Sequence, residues 1–168
     1  MKLKYISWIP AVIIMGIIFY FSSKQVDNSN ESSLTIANEI LNIYDSITNS
    51  NYQENVRTEL LDSINHVVRK GAHFCEYALL ASTIAFHLLV WKRKRKWVLI
   101  ISILISALYA ATDEFHQTLI QGRGGRLADV LLDTAGAATG MLFLSLALTI
   151  SARIRMRRKK AALPTLLQ

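Results

Sequence analysis

The stretch YALLASTIAFHLLVW-KRKRK-WVLIISILISALYAAT, residues 77–112, decides the fold. Its two charge-free runs, Tyr77–Trp91 and Trp97–Thr112, are shorter than the roughly 20 residues that a helix needs to cross a bilayer core. Neither run extends into the five cations of Lys92–Lys96 without placing them in lipid. We therefore expect both spans to extend in the opposite direction, away from this basic loop.

The extension brings polar residues into both spans. The second span must begin near Ala72 and the third must continue to about Gln117. Five ionisable residues then enter the spans, all at the end opposite the basic loop: His73, Glu76, Asp113, Glu114 and His116.

Two longer charge-free runs, Tyr5–Ser23 and Thr134–Ala152, complete a set of four. The chain is 52% hydrophobic and only 18% charged, whereas soluble domains have about 25% charged residues. We expect a single all-α domain over residues 1–168, a polytopic membrane bundle. Its four transmembrane helices would cover about 5–23, 72–91, 97–117 and 128–152, with a basic tail over 153–168.

The distribution of Lys and Arg predicts the orientation. Lys2 and Lys4 precede the first span, Lys92–Lys96 joins the second and third, and Arg153–Lys160 follows the fourth. Four spans place all three groups on one side, which the positive-inside rule assigns to the cytoplasm together with both termini. A cleaved signal peptide is the alternative for the first span, but the residues after it lack a small-x-small cleavage site.

The outer segment, residues 24–71, contains two amphipathic stripes. The polar stretch Val26–Ser33 indicates a loop. Apolar residues at helical spacing then predict one or two short amphipathic helices outside the membrane, over about 34–47 and 56–68. The second helix either ends before the second span or runs directly into it through Arg69, Lys70 and Gly71. These helices either cover the bundle and lie in the outer interface, or form a lid over a site.

Three polar stripes converge on the outer end of the predicted bundle. His73, Glu76 and Tyr77 share a helical face, as do Asp113, His116 and Gln117. Arg126, Asp129 and Asp133 form the third stripe, which continues into Gly136 and Gly140. Because that small-xxx-small pattern favours close helix packing, the carboxylates of the third stripe should face the bundle interior.

The turn QGRGGR, residues 121–126, lies just before the fourth span. Arg123 and Arg126 offer forked donors for a phosphate or carboxylate, and the following helix N-terminus adds partial positive charge. A tight turn whose arginines pair with Asp129 or Glu114 is an equally consistent interpretation.

Other kinds of site have weaker support. The acids and histidines match no standard metal motif, so we expect no metal, and no cofactor is indicated. The basic blocks lack the aromatic residues or motifs of a nucleic-acid-binding module. The single cysteine, Cys75, excludes an internal disulfide and is expected to be buried.

Several motifs together resemble the VanZ-like family. The resemblance extends from the first to the fourth span and rests on these segments: FSSKQ (21–25), RKGAHFCEYA (69–78), YAATDEFHQ (109–117), GR (122–123) and DVLLDTAG (129–136). It implies a bacterial, multi-pass membrane protein of the cell envelope. The namesake of the family is associated with resistance to the glycopeptide antibiotic teicoplanin, and the resemblance implies no particular reaction.

Three functions remain open. The first is binding or modification of an anionic ligand, such as a lipid headgroup, a cell-wall precursor or a glycopeptide, with these binding residues: Arg69, Lys70, Gln117, Arg123 and Arg126. The second is an intramembrane hydrolase or transferase acting on a lipid-linked phosphate, with these catalytic candidates: His73, Glu76, Asp113, Glu114, His116, Asp129 and Asp133. In the third, the polar residues only hold the bundle together. The sequence leaves open whether any reaction is catalysed.

Overall fold

The computed structural model describes residues 2–23, 26–49, 52–120 and 124–162. Within these ranges the chain is helical and contains no β-strand. The helices are α1 (Lys2–Ile6), α2 (Ile9–Ser22), α3 (Val26–Thr48), α4 (Glu54–Val90), α5 (Arg95–Gln117) and α6 (Leu127–Ala162).

Four helical segments are long and apolar enough to cross a membrane, which confirms the predicted bundle. They are Lys4–Ser22, Glu54–Val90, Arg95–Gln117 and Leu127–Arg158. The first consists of α1 and α2, and Pro10 lies in the first turn of α2, where its missing N–H is tolerated. Large apolar side chains remain exposed on the spans, among them Phe19, Leu108 and Phe143. Lipid is the solvent that suits these outward-facing side chains.

Helix α4 is the central element of the bundle. Its Tyr77, Leu80 and Ile84 pack with α2 and α5 in one apolar cluster. Its Ala81 and Ala85 pack with Ala137 and Met141 of α6 and with Val98 of α5 in a second cluster. With 37 residues, α4 is about 55 Å long, which exceeds the roughly 30 Å hydrocarbon core. Its N-terminal part therefore projects beyond the bilayer on the side opposite the Lys92–Lys96 loop.

The two glycines predicted to mediate packing lie against α4. A Cβ on Gly136 would overlap the backbone of Phe74, and one on Gly140 would stand 2.5 Å from the Ala78 carbonyl oxygen. The absence of side chains thus lets α6 approach the α4 backbone directly. This approach turns the neighbouring stripe of α6, which includes Asp133, toward the bundle interior.

The outer segment is helical, but its bounds differ from those predicted. Ala37 and Leu41 of α3 are buried, and Arg57 of α4 joins Asp45 and Asn42 at 2.6 and 2.8 Å. The predicted loop over Val26–Ser33 was wrong, because α3 begins at Val26. Once packing fixes a helix, adding poor helix formers costs only a few tenths of a kcal/mol per residue.

The second outer stripe belongs to α4 itself. The helix continues through Gly71 without a break, so the outer half and the second span are one rod. Cys75 lies on the exposed surface of this rod, contrary to the expectation that it is buried.

Candidate functional site

A polar cavity of about 250 Å³ lies at the end of the bundle opposite the Lys92–Lys96 loop, between α4, α5 and the beginning of α6. Most of the residues around it are charged, histidine or amide side chains. Its walls are formed by His66, Arg69, Lys70, His73, Glu114, Gln117, Gly124, Arg126, Asp129, Leu132 and Asp133.

The cationic and imidazole wall of the cavity comes from one face of α4. His66, Arg69, Lys70 and His73 follow the i, i+3, i+4, i+7 pattern of that face. This face exists because α4 passes through Gly71 as an unbroken helix. Sequence reasoning placed His66 on the outer amphipathic helix and did not include it among the site residues; extending the stripe of His73 two turns backward would have identified it.

The opposite wall is acidic, and two of its carboxylates have identified partners, as does a third carboxylate beneath the cavity. Asp129 Oδ1 lies 2.8 Å from Lys70 Nζ, an ion pair that joins α6 to α4. Glu114 Oε2 accepts a 2.8 Å hydrogen bond from the backbone N–H of Arg126. Asp113, which lies beneath the cavity, accepts hydrogen bonds from Ser22 Oγ at 2.8 Å and from Gln117 Nε2 at 3.0 Å.

Arg126 is held by its backbone and leaves its side chain at the cavity. The bond to Glu114 fixes the residue just before α6, and Gly125 permits the close approach, since a Cβ there would overlap the Glu114 carbonyl group and Thr118. The Arg126 guanidinium lines the cavity. It forms no hydrogen bond or ion pair with another side chain in the part of the chain that the structure describes.

Asp133 forms the deepest acidic part of the wall. The residue is only 2% exposed, and its Oδ1 has no hydrogen-bond partner among the described residues. Glu114, Asp113 and Asp129 lie near enough to repel its charge. A buried carboxyl oxygen without a donor is costly, which makes Asp133 the least compensated group of the cavity.

Not every predicted site residue lines the cavity. Glu76 lies below it, with its Oε2 3.5 Å from His73 Nδ1. His116 turns toward α2, where its ring stacks on Phe19 at 4.8 Å and its Nε2 lies 3.2 Å from Ser23 Oγ. Arg123, together with Gly122, lies outside the described residues.

The cavity contains both kinds of partner that a polar ligand needs. Among residues 2–23, 26–49, 52–120 and 124–162, no three His, Cys, Asp or Glu side chains are grouped so as to hold a metal ion. The cavity offers forked N–H donors from Arg69 and Arg126, and carboxyl acceptors from α5 and α6.

Comparison with known proteins places the chain in a family. The sequence model described as VanZ/LLP1 matches residues 7–148, which is most of the chain and includes at least part of each of the four spans. No curated protein and no solved structure matches the chain. The protein belongs to the VanZ/LLP1 family.

Proposed function

We propose that this multi-pass VanZ/LLP1 membrane protein binds an anionic group of a cell-envelope ligand in the cavity at its outer end. Through this binding it contributes to resistance against teicoplanin-type glycopeptides. The observation that supports the proposal most directly is the Arg126 guanidinium, which is positioned through its backbone by Glu114 and has no side-chain partner in the described structure. Arg69 adds a second guanidinium to the same cavity.

The proposed orientation gives this cavity access to the cell envelope. We assign the protein to a bacterial cell membrane, with both termini and the Lys92–Lys96 loop in the cytoplasm. The cavity then opens toward the outer leaflet and the cell wall. Its ligand is an anionic lipid, a cell-wall precursor or the glycopeptide itself.

The function is tested by deleting the gene and restoring it as wild type, Arg126→Ala or Arg69→Ala. Deletion should lower the teicoplanin concentration that the cells tolerate, and the wild-type gene should restore it. Because the Arg126 side chain supports no other part of the described structure, Arg126→Ala should be made in normal amounts and still fail to restore resistance. Arg153→Ala, which changes an exposed arginine at the inner end of α6, is the matched control. Unchanged susceptibility after deletion, together with unchanged ligand binding by Arg126→Ala, would reject the proposal.

A second candidate function, hydrolysis or transfer on a lipid-linked phosphate, is favoured by one feature. The cavity places the carboxyl group of Asp133 and the imidazole of His73 in one enclosure with two arginines, a combination suited to acid/base work on a phosphate. Purified protein would then turn over a polyprenyl phosphate or diphosphate. His73→Ala and Asp133→Asn should abolish turnover, whereas His116→Ala should retain it, since His116 faces α2. No turnover across a panel of such lipids would count against an enzyme.

A further inference from the structure

We propose that the ligand of this cavity is a zwitterion, with an anionic group at Arg126 and a primary ammonium group at Asp133. This inference rests on the proposed function, because it assigns the ligand chemistry of the same cavity. The proposed function requires only that the ligand carry an anionic group. The present inference requires that the ligand also carry a hydrogen-bond donor.

The requirement for a donor comes from Asp133. This side chain is almost fully buried, lines the cavity and has an Oδ1 without a hydrogen-bond partner among the described residues. The other carboxylates of the wall differ, because Asp129 is paired with Lys70 and Glu114 accepts the Arg126 N–H. A ligand that enters the cavity therefore meets one acceptor that the protein does not satisfy.

The charges of the cavity disfavour a ligand that is only anionic. An anion at Arg126 lies close to Glu114 and shares the cavity with Asp133, and like charges repel. An ammonium group beside Asp133 offsets that repulsion and donates to the unsatisfied oxygen. A ligand that is only cationic would leave the guanidinium of Arg126 unused.

The size of the cavity and the position of the two anchors favour a small ligand. Arg126 immediately precedes α6, and Asp133 lies two helical turns further along the same element. Both side chains line one cavity of about 250 Å³, so one short molecule that carries both charges can meet both of them. Aminoalkyl phosphates, with a phosphate and an ammonium two carbons apart, have this form.

The test uses three soluble probes and the full chain purified in a maltoside detergent, whose uncharged headgroup does not compete. Ethyl phosphate has the anion alone, ethanolamine the cation alone, and O-phosphoethanolamine both. We expect O-phosphoethanolamine to bind at least about tenfold more tightly than either of the others, as measured by calorimetry. Phosphocholine, whose quaternary nitrogen has no N–H, should bind more weakly than O-phosphoethanolamine.

Two substitutions assign the two ends of the ligand. Asp133→Asn should reduce the affinity for O-phosphoethanolamine to about that for ethyl phosphate, and Arg126→Ala should weaken both phosphates. Asp62→Asn, an exposed aspartate on the outer half of α4 away from the cavity, is the matched control. If Asp133→Asn does not fold, the wild-type probe series still decides the question.

The outcomes separate this inference from the proposed function. Equal affinity for ethyl phosphate and O-phosphoethanolamine overturns the zwitterion and leaves anion binding intact. Failure of both phosphates to bind overturns the two proposals together.

Nanodiscs then identify the source of the zwitterion. If discs of phosphatidylethanolamine block O-phosphoethanolamine binding and discs of phosphatidylcholine do not, the ligand is a lipid headgroup. Equal binding in both kinds of disc indicates a soluble or cell-wall zwitterion. Each of these two results supports the inference.

Discussion

The hydroxyl of Ser22 donates a 2.8 Å hydrogen bond to the carboxylate of Asp113, and this bond joins the ends of α2 and α5 beneath the cavity. Both side chains are buried. Gln117 donates to the same carboxylate oxygen from one turn further along α5, and in this position it also lines the cavity. A contact between two spans thus also orients a cavity side chain.

Ser22→Ala should lower the free energy of unfolding by about 1–2 kcal/mol, because it removes a donor from a buried carboxylate. Denaturant titration of the protein in detergent measures this change. Thr112→Ala is the control, since the exposed Thr112 hydroxyl bonds only to the Tyr109 carbonyl of its own helix. Equal stability losses for the two variants would show that the Ser22–Asp113 bond contributes nothing of its own.

Gly136→Ala and Gly140→Ala should each destabilise the bundle by about 1–3 kcal/mol, because the new methyl group must displace the backbone of α4. Thermal unfolding in detergent is the measurement. Gly71→Ala, at a helical position with nothing within 4 Å, should instead raise stability by up to about 1 kcal/mol. Loss of stability in all three variants would indicate that the effect does not depend on packing against α4.

The four spans could be predicted from the sequence because lipid imposes a length and a charge limit that can be read locally. The polar residues at one end of the second and third spans were also predicted. The apolar runs Tyr77–Trp91 and Trp97–Thr112 are too short to cross the bilayer and can be lengthened only away from Lys92–Lys96. The close packing of Gly136 and Gly140 was predicted from their small-xxx-small spacing. Their register with Asp129 and Asp133 then predicted that these carboxylates face the bundle interior.

The continuity of α4 through Gly71 was one of two interpretations that the sequence offered, and the structure shows the continuous helix. The orientation of the His116 side chain could not be predicted, because it depends on where α2 lies around α5. Asp113, His116 and Gln117 share a broad face by spacing, yet neighbouring helices divide that face between the cavity and Ser23.

Glu114→Ala should bind ethyl phosphate about five- to tenfold more weakly than Glu114→Gln, since both variants remove the negative charge but only the alanine removes the acceptor that fixes the Arg126 backbone. Glu114→Gln retains a side-chain carbonyl oxygen in nearly the same place, and it should bind the phosphate at least as tightly as wild type because it no longer repels the anion. Calorimetry gives the affinities, and thermal unfolding of both variants separates a positioning effect from a loss of folding. Equal affinity in the two variants would show that the hydrogen bond to Glu114 does not position Arg126.

The orientation inferred from the basic segments predicts which cysteines a membrane-impermeant reagent reaches in intact cells. In a Cys75→Ala background, Asn55→Cys places a thiol on the exposed outer part of α4, and Lys94→Cys places one in the exposed loop before α5. We expect a membrane-impermeant maleimide to label Asn55→Cys at once and Lys94→Cys only after permeabilisation, because Lys92–Lys96 should remain in the cytoplasm. The reverse pattern would place the cavity on the cytoplasmic side and would remove the basis for a cell-wall or outer-leaflet ligand.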